Sequence, residues 1–241
     1  MSTSRIPTSI QNQITIAVKS YEKQRTECDQ LGRVLLMHLI EDEHLRSLIH
    51  SGKFRIKTPQ SLRGKLQRKA RESILKSKPF TVTPGNLFKK IQDLVGVRIL
   101  HLHTKQISAI HPAIEAIISR SHYTIREGPV GNTWDIETQS YFKSLRITTK
   151  LRDSMYTSVH YIVTSAERPD IPIELQVRTL MEEVWGEVSH QLAYPKPSSS
   201  KSCQEQLKVL ARITSGCSRL VDSIYATHKE HSSTRPRKSR S

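Results

Sequence analysis

Two carboxylates beside alternating segments are the residues of this sequence best suited to chemistry. Alternation puts Glu174, Gln176 and Arg178 on one face of a predicted strand, pointing out of the core. Asp93 comes just before a second alternating segment, residues 95–99. If the two strands are neighbours, Asp93 and Glu174 can share one Mg²⁺, which takes one or two carboxylates and leaves its other positions to water and phosphates. Alternatively, Asp93 caps a turn and Glu174 pairs with a surface lysine.

A strongly basic segment supplies the second part of the predicted site. Residues 53–78 hold ten basic side chains against one acid, Glu72. Arg55 and Lys57 point the same way if their segment is extended, and Lys65 follows on the next predicted helix. Guanidinium and ammonium groups neutralise the many oxygens of a triphosphate. Acids for a metal together with bases for phosphates are typical of phosphoryl or pyrophosphoryl transfer.

An aromatic ring and an imidazole share a third predicted face. In an extended chain Tyr156, Ser158 and His160 lie on the same side as a strand begins. An aromatic ring can stack on a nucleobase, so this face is a candidate for nucleotide binding. The alternative is a tyrosine packed at the strand start and a histidine satisfied by the backbone.

Apolar spacing predicts the elements that must position these residues. Helical spacing predicts an N-terminal helical hairpin, a basic helix from about Ser61, and helices over residues 107–121, 180–192 and 203–228. The helix over 180–192 would close the domain with one apolar face, formed by Leu180, Val184, Val188 and Leu192.

The strands follow from alternation and from turn residues. Alternation predicts strands over residues 95–99, 123–126, 145–150, 159–164 and 171–177, with a loop over 79–85 and a turn-rich break over 128–132. The predicted class is therefore α+β, a mixed sheet of about five strands flanked by helices.

Charge and composition limit the class of protein further. The 241 residues carry 38 Lys and Arg against 22 Asp and Glu, a net charge of +16 with a pI near 10.0. Because most of the excess lies in two segments, it implies a polyphosphate or nucleic-acid partner. No apolar run is long enough for a membrane span and the N-terminus lacks an apolar leader, so we expect a cytoplasmic protein with no membrane partner. Three distant cysteines argue against a disulfide framework or a zinc site.

Four motifs in order resemble the synthetase domain of the RelA/SpoT alarmone synthetases, especially the small single-domain members. They are Arg-Ile-Lys-Thr-Pro-Gln-Ser at 55–61 with Lys65, Asp-Leu-Val-Gly-Val-Arg-Ile at 93–99, Tyr-Thr-Ser-Val-His at 156–160, and Ile-Glu-Leu-Gln-Val-Arg-Thr at 173–179, followed by Trp185, Gly186 and His190. The resemblance implies a nucleotidyltransferase-like synthetase domain over residues 52–195. We expect a helical region at 1–51, a C-terminal helix at 196–228 and a basic disordered tail at 229–241.

The resemblance also implies an activity and roles for residues. Family members move the β,γ-pyrophosphate of ATP to the 3′-hydroxyl of GTP or GDP, and the hydrolase half of the long members is expected to be absent here. By this likeness Asp93 would bind Mg²⁺, and Glu174 would bind the metal or act as base. The implied ATP-binding residues are Arg55, Lys57, Lys65 and Arg98. The implied acceptor-binding residues are Tyr156, which would stack on the base, His160, which would contact phosphate, Arg152, Gln176 and Arg178.

One departure from the family pattern leaves the acceptor open. Guanine-using members have Lys-x-Asn-Gly-Tyr in the acceptor loop, whereas this chain has Arg-Asp-Ser-Met-Tyr at 152–156. The sequence is also similar to toxic members that pyrophosphorylate adenine nucleotides or the 3′ CCA end of tRNA. A third reading is a weakly catalytic RNA-binding module that uses the basic helix and tail. A homo-oligomer, as in related small synthetases, and a neutralising partner are further open expectations.

Overall fold

A six-stranded mixed sheet holds the centre of the molecule. The computed structural model describes residues 5–193 and 200–234. The strands are β1 (Ser51–Ile56), β2 (Val95–His101), β3 (Tyr123–Thr133), β4 (Thr148–Leu151), β5 (Ser158–Ser165) and β6 (Ile173–Thr179). Their order across the sheet is β1-β2-β6-β5-β3-β4, in which β2 pairs with β6 and β3 with β4 in parallel and the other pairs are antiparallel. The predicted α+β class with a mixed sheet is confirmed, with one strand more than expected.

Eight α-helices in the described part of the chain surround this sheet. They are α1 (Thr8–Glu41), α2 (Glu43–Leu48), α3 (Pro59–Leu75), α4 (Leu87–Lys90), α5 (Ile107–Arg120), α6 (Ile136–Ser144), α7 (Leu180–Ala193) and α8 (Lys201–Thr234). Both α1 and α5 contribute buried aliphatic side chains to one core with the sheet. None of the described helices is long and apolar enough to cross a membrane.

Local sequence explains why the basic helix α3 begins where it does. The hydroxyl of Thr58 accepts a hydrogen bond from the Ser61 backbone N–H, and Pro59 occupies the first turn. Both features favour a helix start. One face of α3 is buried through Leu62, Leu66 and Ala70, so its lysines and arginines are carried on a fixed scaffold.

The predicted N-terminal helical hairpin was wrong, whereas the predicted count of about five strands is close to the six observed. Residues 8–41 form one 34-residue helix, because buried Cys28 continues the apolar stripe where the prediction placed a turn. Gly32 in this helix lets α1 approach the sheet closely. A Cβ there would lie 2.3 Å from the Phe54 ring and 2.8 Å from Val95. The additional strand is β1, whose short Lys- and Arg-containing sequence has little apolar alternation.

Two further predictions fail, and one helix was not predicted. The expected break at residues 128–132 lies within β3, whose ladder is irregular there and includes Gly128 at φ +99°, a conformation open to glycine. Helix α6 was not predicted; Asp135 caps it by accepting from the Glu137 backbone N–H. Helix α8 continues to Thr234, so the expected disorder does not hold for residues 229–234. Residues 235–241 lie outside the described part.

The apolar face predicted to close the domain through α7 also points elsewhere. Val184, Val188 and Leu192 are 49%, 38% and 36% exposed. The buried positions of this helix include Glu183 and Trp185 instead, at 5% and 7% exposure. Helix rotation therefore places a carboxylate, rather than the valines, against the sheet.

Buried His101 predicts an acid-sensitive fold. The side chain is 1% exposed and its Nδ1–H donates to the His103 carbonyl at 3.0 Å. Burial lowers the pKa of His101 to about 4. Between pH 6.5 and pH 4 the imidazole is therefore protonated only in the unfolded state, and the free energy of unfolding decreases as the pH is lowered. In urea unfolding, His101→Asn should reduce the loss of stability between pH 7 and pH 5 by about 2 kcal/mol. Exposed His122→Asn is the control; equal pH dependence of both variants would contradict the prediction.

Candidate active site

The two predicted carboxylates meet because their strands are adjacent. Strand β2 runs parallel to β6 with Gly96 opposite Glu174, and Asp93 lies just before β2. Asp93 and Glu174 both line one cavity of about 250 Å³. Other lining residues include Lys53, Arg55, Arg98, Gln176 and Glu187.

Asp93 is held as a carboxylate by two lysines. Its Oδ2 lies 3.2 Å from Lys57 Nζ and 2.7 Å from Lys65 Nζ. Burial of Asp93 favours the neutral acid, but the two ammonium groups outweigh it and hold the pKa of Asp93 below its usual range. Its other oxygen, Oδ1, is buried and has no hydrogen-bond partner among the described residues. One oxygen therefore remains available to a ligand.

Glu174 ends a hydrogen-bonded chain of three side chains. His160 Nδ1 lies 3.2 Å from Glu174 Oε1, and Gln176 Nε2 donates to Glu174 Oε2 at 2.9 Å. The Tyr156 hydroxyl lies 2.9 Å from His160 Nε2. An imidazole that donates from Nδ1 to the carboxylate accepts at Nε2 from the tyrosine hydroxyl. These hydrogen bonds therefore connect the ring of Tyr156 to the carboxylate of Glu174 through His160.

Glu174 is ionised in this arrangement. Burial favours its neutral form, yet the hydrogen bonds from His160 and Gln176 hold the pKa of Glu174 below its usual range. A nearby Asp93 charge acts in the opposite direction, which shows that the two carboxylates interact. A carboxylate that is ionised at neutral pH can accept a proton or bind a cation.

The predicted phosphate-binding residues fall into two groups. Lys57 and Lys65 are engaged by Asp93, and Arg55 lines the cavity at the position opposite Gly96. Arg98 also lines the cavity, but its guanidinium is already bound by carboxylates of α7. All four side chains therefore lie at the same end of the sheet as Asp93.

The predicted acceptor residues lie at different depths. Gln176 and His160 contact Glu174 directly. Arg178 is only 3% exposed and its guanidinium lies 5.8 Å from the centroid of the Tyr156 ring. Exposed Arg152 lies apart from the cavity lining, where its Nε donates to Asn132 Oδ1 at 2.7 Å. The structure thus brings His160 and Gln176 against Glu174, links Tyr156 to it through His160, and places Arg178 beside the Tyr156 ring, whereas Arg152 lies apart.

The comparison with family models decides what kind of domain this is. The model of the region found in RelA/SpoT proteins matches residues 54–199, more than half of the chain. The chain belongs to the RelA/SpoT family. This membership confirms the resemblance and the prediction of a pyrophosphokinase-type synthetase domain. No match was found among curated protein sequences.

Solved structures share the fold of this RelA/SpoT domain at low identity. Small alarmone synthetase 1 from Bacillus subtilis is 19% identical with a TM-score of 0.63 over 87% of this chain and 98% of that chain. A GTP pyrophosphokinase family protein from Streptococcus pneumoniae is 18% identical with a TM-score of 0.59 over 90% and 96%. The Bacillus enzyme bound to its product pppGpp is 21% identical, with a TM-score of 0.57 over 84% and 93%. These likenesses show the common architecture.

The residues of this RelA/SpoT domain fit a magnesium ion. The described part of the chain contains no group of three or more His, Cys, Asp or Glu residues able to hold a metal. Asp93 and Glu174 form a pair of hard oxygen donors, and the Oδ1 atom of Asp93 is buried without a protein partner. Proteins typically bind Mg²⁺ through one or two carboxylates of this kind, and substrate phosphates and water complete the coordination.

Met155 shows how the domain accommodates its departure from the family loop. Its φ of +61° lies in the left-handed region, where glycine is favoured. The backbone therefore keeps a glycine-like conformation although the residue carries a side chain. Met155 lines a small cavity with Trp134, Trp185 and Ser215 of α8. Met155 and the C-terminal helix therefore line the same cavity.

The sequence analysis did not identify two acidic residues of α7 at the cavity, Glu183 and Glu187. Glu183 is buried and contacts Lys53, Arg98 and Arg178. The apolar face predicted for this helix, with Val184 and Val188, gave no signal that Glu183 would be buried. Only the rotation of α7 against the sheet identifies it.

Proposed function

We propose that this chain is an ATP-dependent pyrophosphokinase that makes guanosine 3′-diphosphate alarmones from GTP or GDP. The observation that carries the proposal is the Tyr156–His160–Glu174 chain, which ends in the cavity that Asp93 also lines. This arrangement supplies an aromatic platform, a base and a phosphate-binding region within one site. Family membership supports the same reaction type.

The reaction requires one bond to form and one to break at the β-phosphorus of ATP. The acceptor O3′ bonds to this phosphorus, the bond to the oxygen that bridges the α-phosphate breaks, and AMP leaves with that oxygen. Glu174 takes the proton of the 3′-hydroxyl, since it is ionised and oriented by His160 and Gln176. Positioning and charge neutralisation provide most of the rate enhancement in such transfers.

Binding of ATP would replace Asp93 by phosphate oxygens as the partner of Lys57 and Lys65. In the free protein Lys57 and Lys65 are neutralised by this carboxylate. We propose that ATP phosphates take over the two ammonium groups together with Arg55, while Asp93 and Glu174 hold Mg²⁺. When bound, the metal would neutralise charge on the transferred phosphates. The structure of the Bacillus enzyme bound to AMPCPP, with 19% identity and a TM-score of 0.57 over 88% of this chain and 99% of that chain, supports an ATP-type donor.

The acceptor is proposed to be a guanine nucleotide, with the 3′ end of tRNA as second candidate. The relative bound to pppGpp supports the first. The second is favoured by exposed cations on and after α3, including Arg68, Arg71, Lys76 and Lys78, because such groups neutralise nucleic-acid phosphates. Adenine nucleotides remain a proposal for the same pocket, and a weakly catalytic RNA-binding module is the non-enzymatic alternative.

A label-transfer experiment separates these candidates. Purified protein with Mg²⁺ and γ-labelled ATP is incubated separately with GDP, GTP, ADP and deacylated tRNA. We expect label on GDP and GTP. Label on tRNA alone would exclude the proposed acceptor, and RNA binding without transfer to any acceptor would favour the RNA-binding module.

The Tyr156 platform predicts a selective effect on the acceptor. Tyr156→Leu should raise the KM for the acceptor roughly 10- to 100-fold, because stacking contributes about 1–3 kcal/mol per base, while the affinity for ATP changes little. Tyr156→Phe is the matched control; it retains the ring and loses only the hydroxyl bonded to His160. An acceptor KM that rises equally in both variants would show that the hydroxyl, rather than the ring, binds the acceptor.

A cytoplasmic location, a homo-oligomer and a neutralising partner also stay predictions. The surface best suited to a second copy of the chain is the apolar side of α8. It exposes Val209, Ile213, Leu220 and Ile224 at helical spacing. Exposed apolar stripes of this kind are typical of helix pairing.

A further inference from the structure

Glu183 is a buried carboxylate in contact with three cations. Its Oε1 lies 2.7 Å from Arg98 NH1 and 3.2 Å from Lys53 Nζ, and its Oε2 contacts Arg178 NH2. The residue is 5% exposed. Burial favours the neutral acid, but Arg178 and Arg98 hold the pKa of Glu183 below its usual range. Glu183 is therefore an ionised group shared by two guanidinium groups.

The two arginines belong to different halves of the site. Arg98 is on β2 and lines the cavity with Asp93. Arg178 is on β6, next to Tyr156, with its guanidinium 5.8 Å from the ring centroid. Because β2 and β6 are adjacent, the guanidinium groups would repel each other without a carboxylate between them.

Arg178 is buried, and its position depends on its ion pair with Glu183. It is 3% exposed, and Glu183 is the carboxylate that forms its ion pair in the described part of the chain. Gly186, on the next turn of α7, provides the space for it. A Cβ at that position would lie 2.6 Å from Arg178 NH1. Helix α7 is thus shaped around this guanidinium.

We propose that Glu183 is the positioning residue that orients Arg98 toward the ATP side and Arg178 against the Tyr156 ring on the acceptor side. The inference rests on the proposed function, because it assigns the two arginines to the donor and acceptor halves of that site. Glu183 touches neither substrate. It acts through the two guanidinium groups, so the positions of both arginines depend on helix α7.

Glu187 offers a matched comparison on the same helix. It contacts Arg98 NH1 at 2.9 Å but has a half-exposed side chain, and the ion pair of Arg178 is with Glu183 instead. Glu187→Gln should therefore disturb only the ATP side. Glu183→Gln should disturb both sides, and Glu183→Asp, which keeps the charge, should recover most of the loss.

The test is direct binding of two probes, measured apart from transfer. Affinities for α,β-methylene ATP and for GDP are measured by calorimetry for the wild type and the three variants, with circular dichroism and thermal unfolding as checks of the fold. We expect Glu183→Gln to weaken each probe about tenfold, because each arginine loses a charged hydrogen-bond partner. Glu187→Gln should weaken α,β-methylene ATP by less and leave GDP unchanged.

The outcomes separate this inference from the proposed function. A wild type that binds neither nucleotide would contradict the proposed function itself. A wild type that binds both, with Glu183→Gln unchanged or affected only on the ATP side, would overturn the inference alone. If Glu183→Gln does not fold, the double variant Glu183→Gln/Arg178→Gln removes the stranded charge. Wild-type GDP affinity in that variant would likewise overturn the inference.

Discussion

Glu174→Gln is expected to lower the rate of diphosphate transfer by about 10²–10⁴-fold, the usual contribution of a positioned general base. Gln has nearly the same shape, and its one carbonyl oxygen can still accept a hydrogen bond from one of the two donors, His160 or Gln176. It cannot take up the proton of the acceptor hydroxyl. The fold and the affinity for α,β-methylene ATP without metal should therefore stay close to those of the wild type. Single-turnover transfer from labelled ATP measures the rate.

The pH dependence of the wild type provides a second readout for Glu174. Burial raises its pKa, but His160 outweighs that effect and holds the pKa of Glu174 below the ordinary 4.5. The base therefore stays ionised through the neutral range, and any loss of rate from its protonation should begin only in the acid below about pH 4.5. Exposed Glu115→Gln on α5 serves as the control for carboxylate loss. A Glu174→Gln variant with wild-type turnover would exclude Glu174 as the base.

Asp93→Asn should abolish most transfer, about 10³-fold, because metal-assisted charge neutralisation contributes several kcal/mol. Its effect on ATP binding should differ from that of Glu174→Gln. Loss of the Asp93 charge releases Lys57 and Lys65, whose ammonium groups lie 3.2 and 2.7 Å from Oδ2. ATP without metal should therefore bind at least as tightly as to the wild type, while Mg²⁺ should no longer strengthen binding.

Calorimetry of ATP binding in EDTA and in Mg²⁺ measures this difference. The wild type should show stronger binding with the metal, and Asp93→Asn should show similar affinity in both buffers. Glu174→Gln should retain part of the metal dependence, since Asp93 Oδ1 remains available. An unchanged response to Mg²⁺ in Asp93→Asn would contradict the assignment of this carboxylate to the metal.

Much of the candidate site could be predicted because it depends on local patterns. Alternation at residues 171–177 placed Glu174 and Gln176 on one face, and both line the cavity. The alternation at residues 95–99 predicted that Asp93 lies just before a strand. The four motifs appear along the chain in the order expected of the family. These features depend on the two-residue alternation of side chains along a strand and on residues adjacent in the chain, and both can be read from a single sequence.

Other parts of the site could not be predicted because they depend on contacts between distant elements. Strand β1 carries Arg55 but has too little alternation to be recognised before it pairs with β2. The role of Lys57 and Lys65 as partners of Asp93 follows from tertiary contacts beyond the end of β1, where the Lys57 backbone N–H donates to the Leu94 carbonyl at 2.9 Å. The close approach of α1 to the sheet depends on Gly32, because a Cβ there would overlap Phe54 and Val95.

The motifs, the mixed sheet and the localised positive charge follow from sequence patterns alone. Folding sets the strand order that makes β2 and β6 neighbours and so brings Asp93 and Glu174 to one cavity, and it sets the rotation that buries Glu183 while Val184 and Val188 face outward. The physical reason is that apolar spacing selects a helix but not its orientation when strong ion pairs compete for the buried face. Buried Arg178 and partly buried Arg98 share a carboxylate, and only the folded sheet brings these two guanidinium groups together.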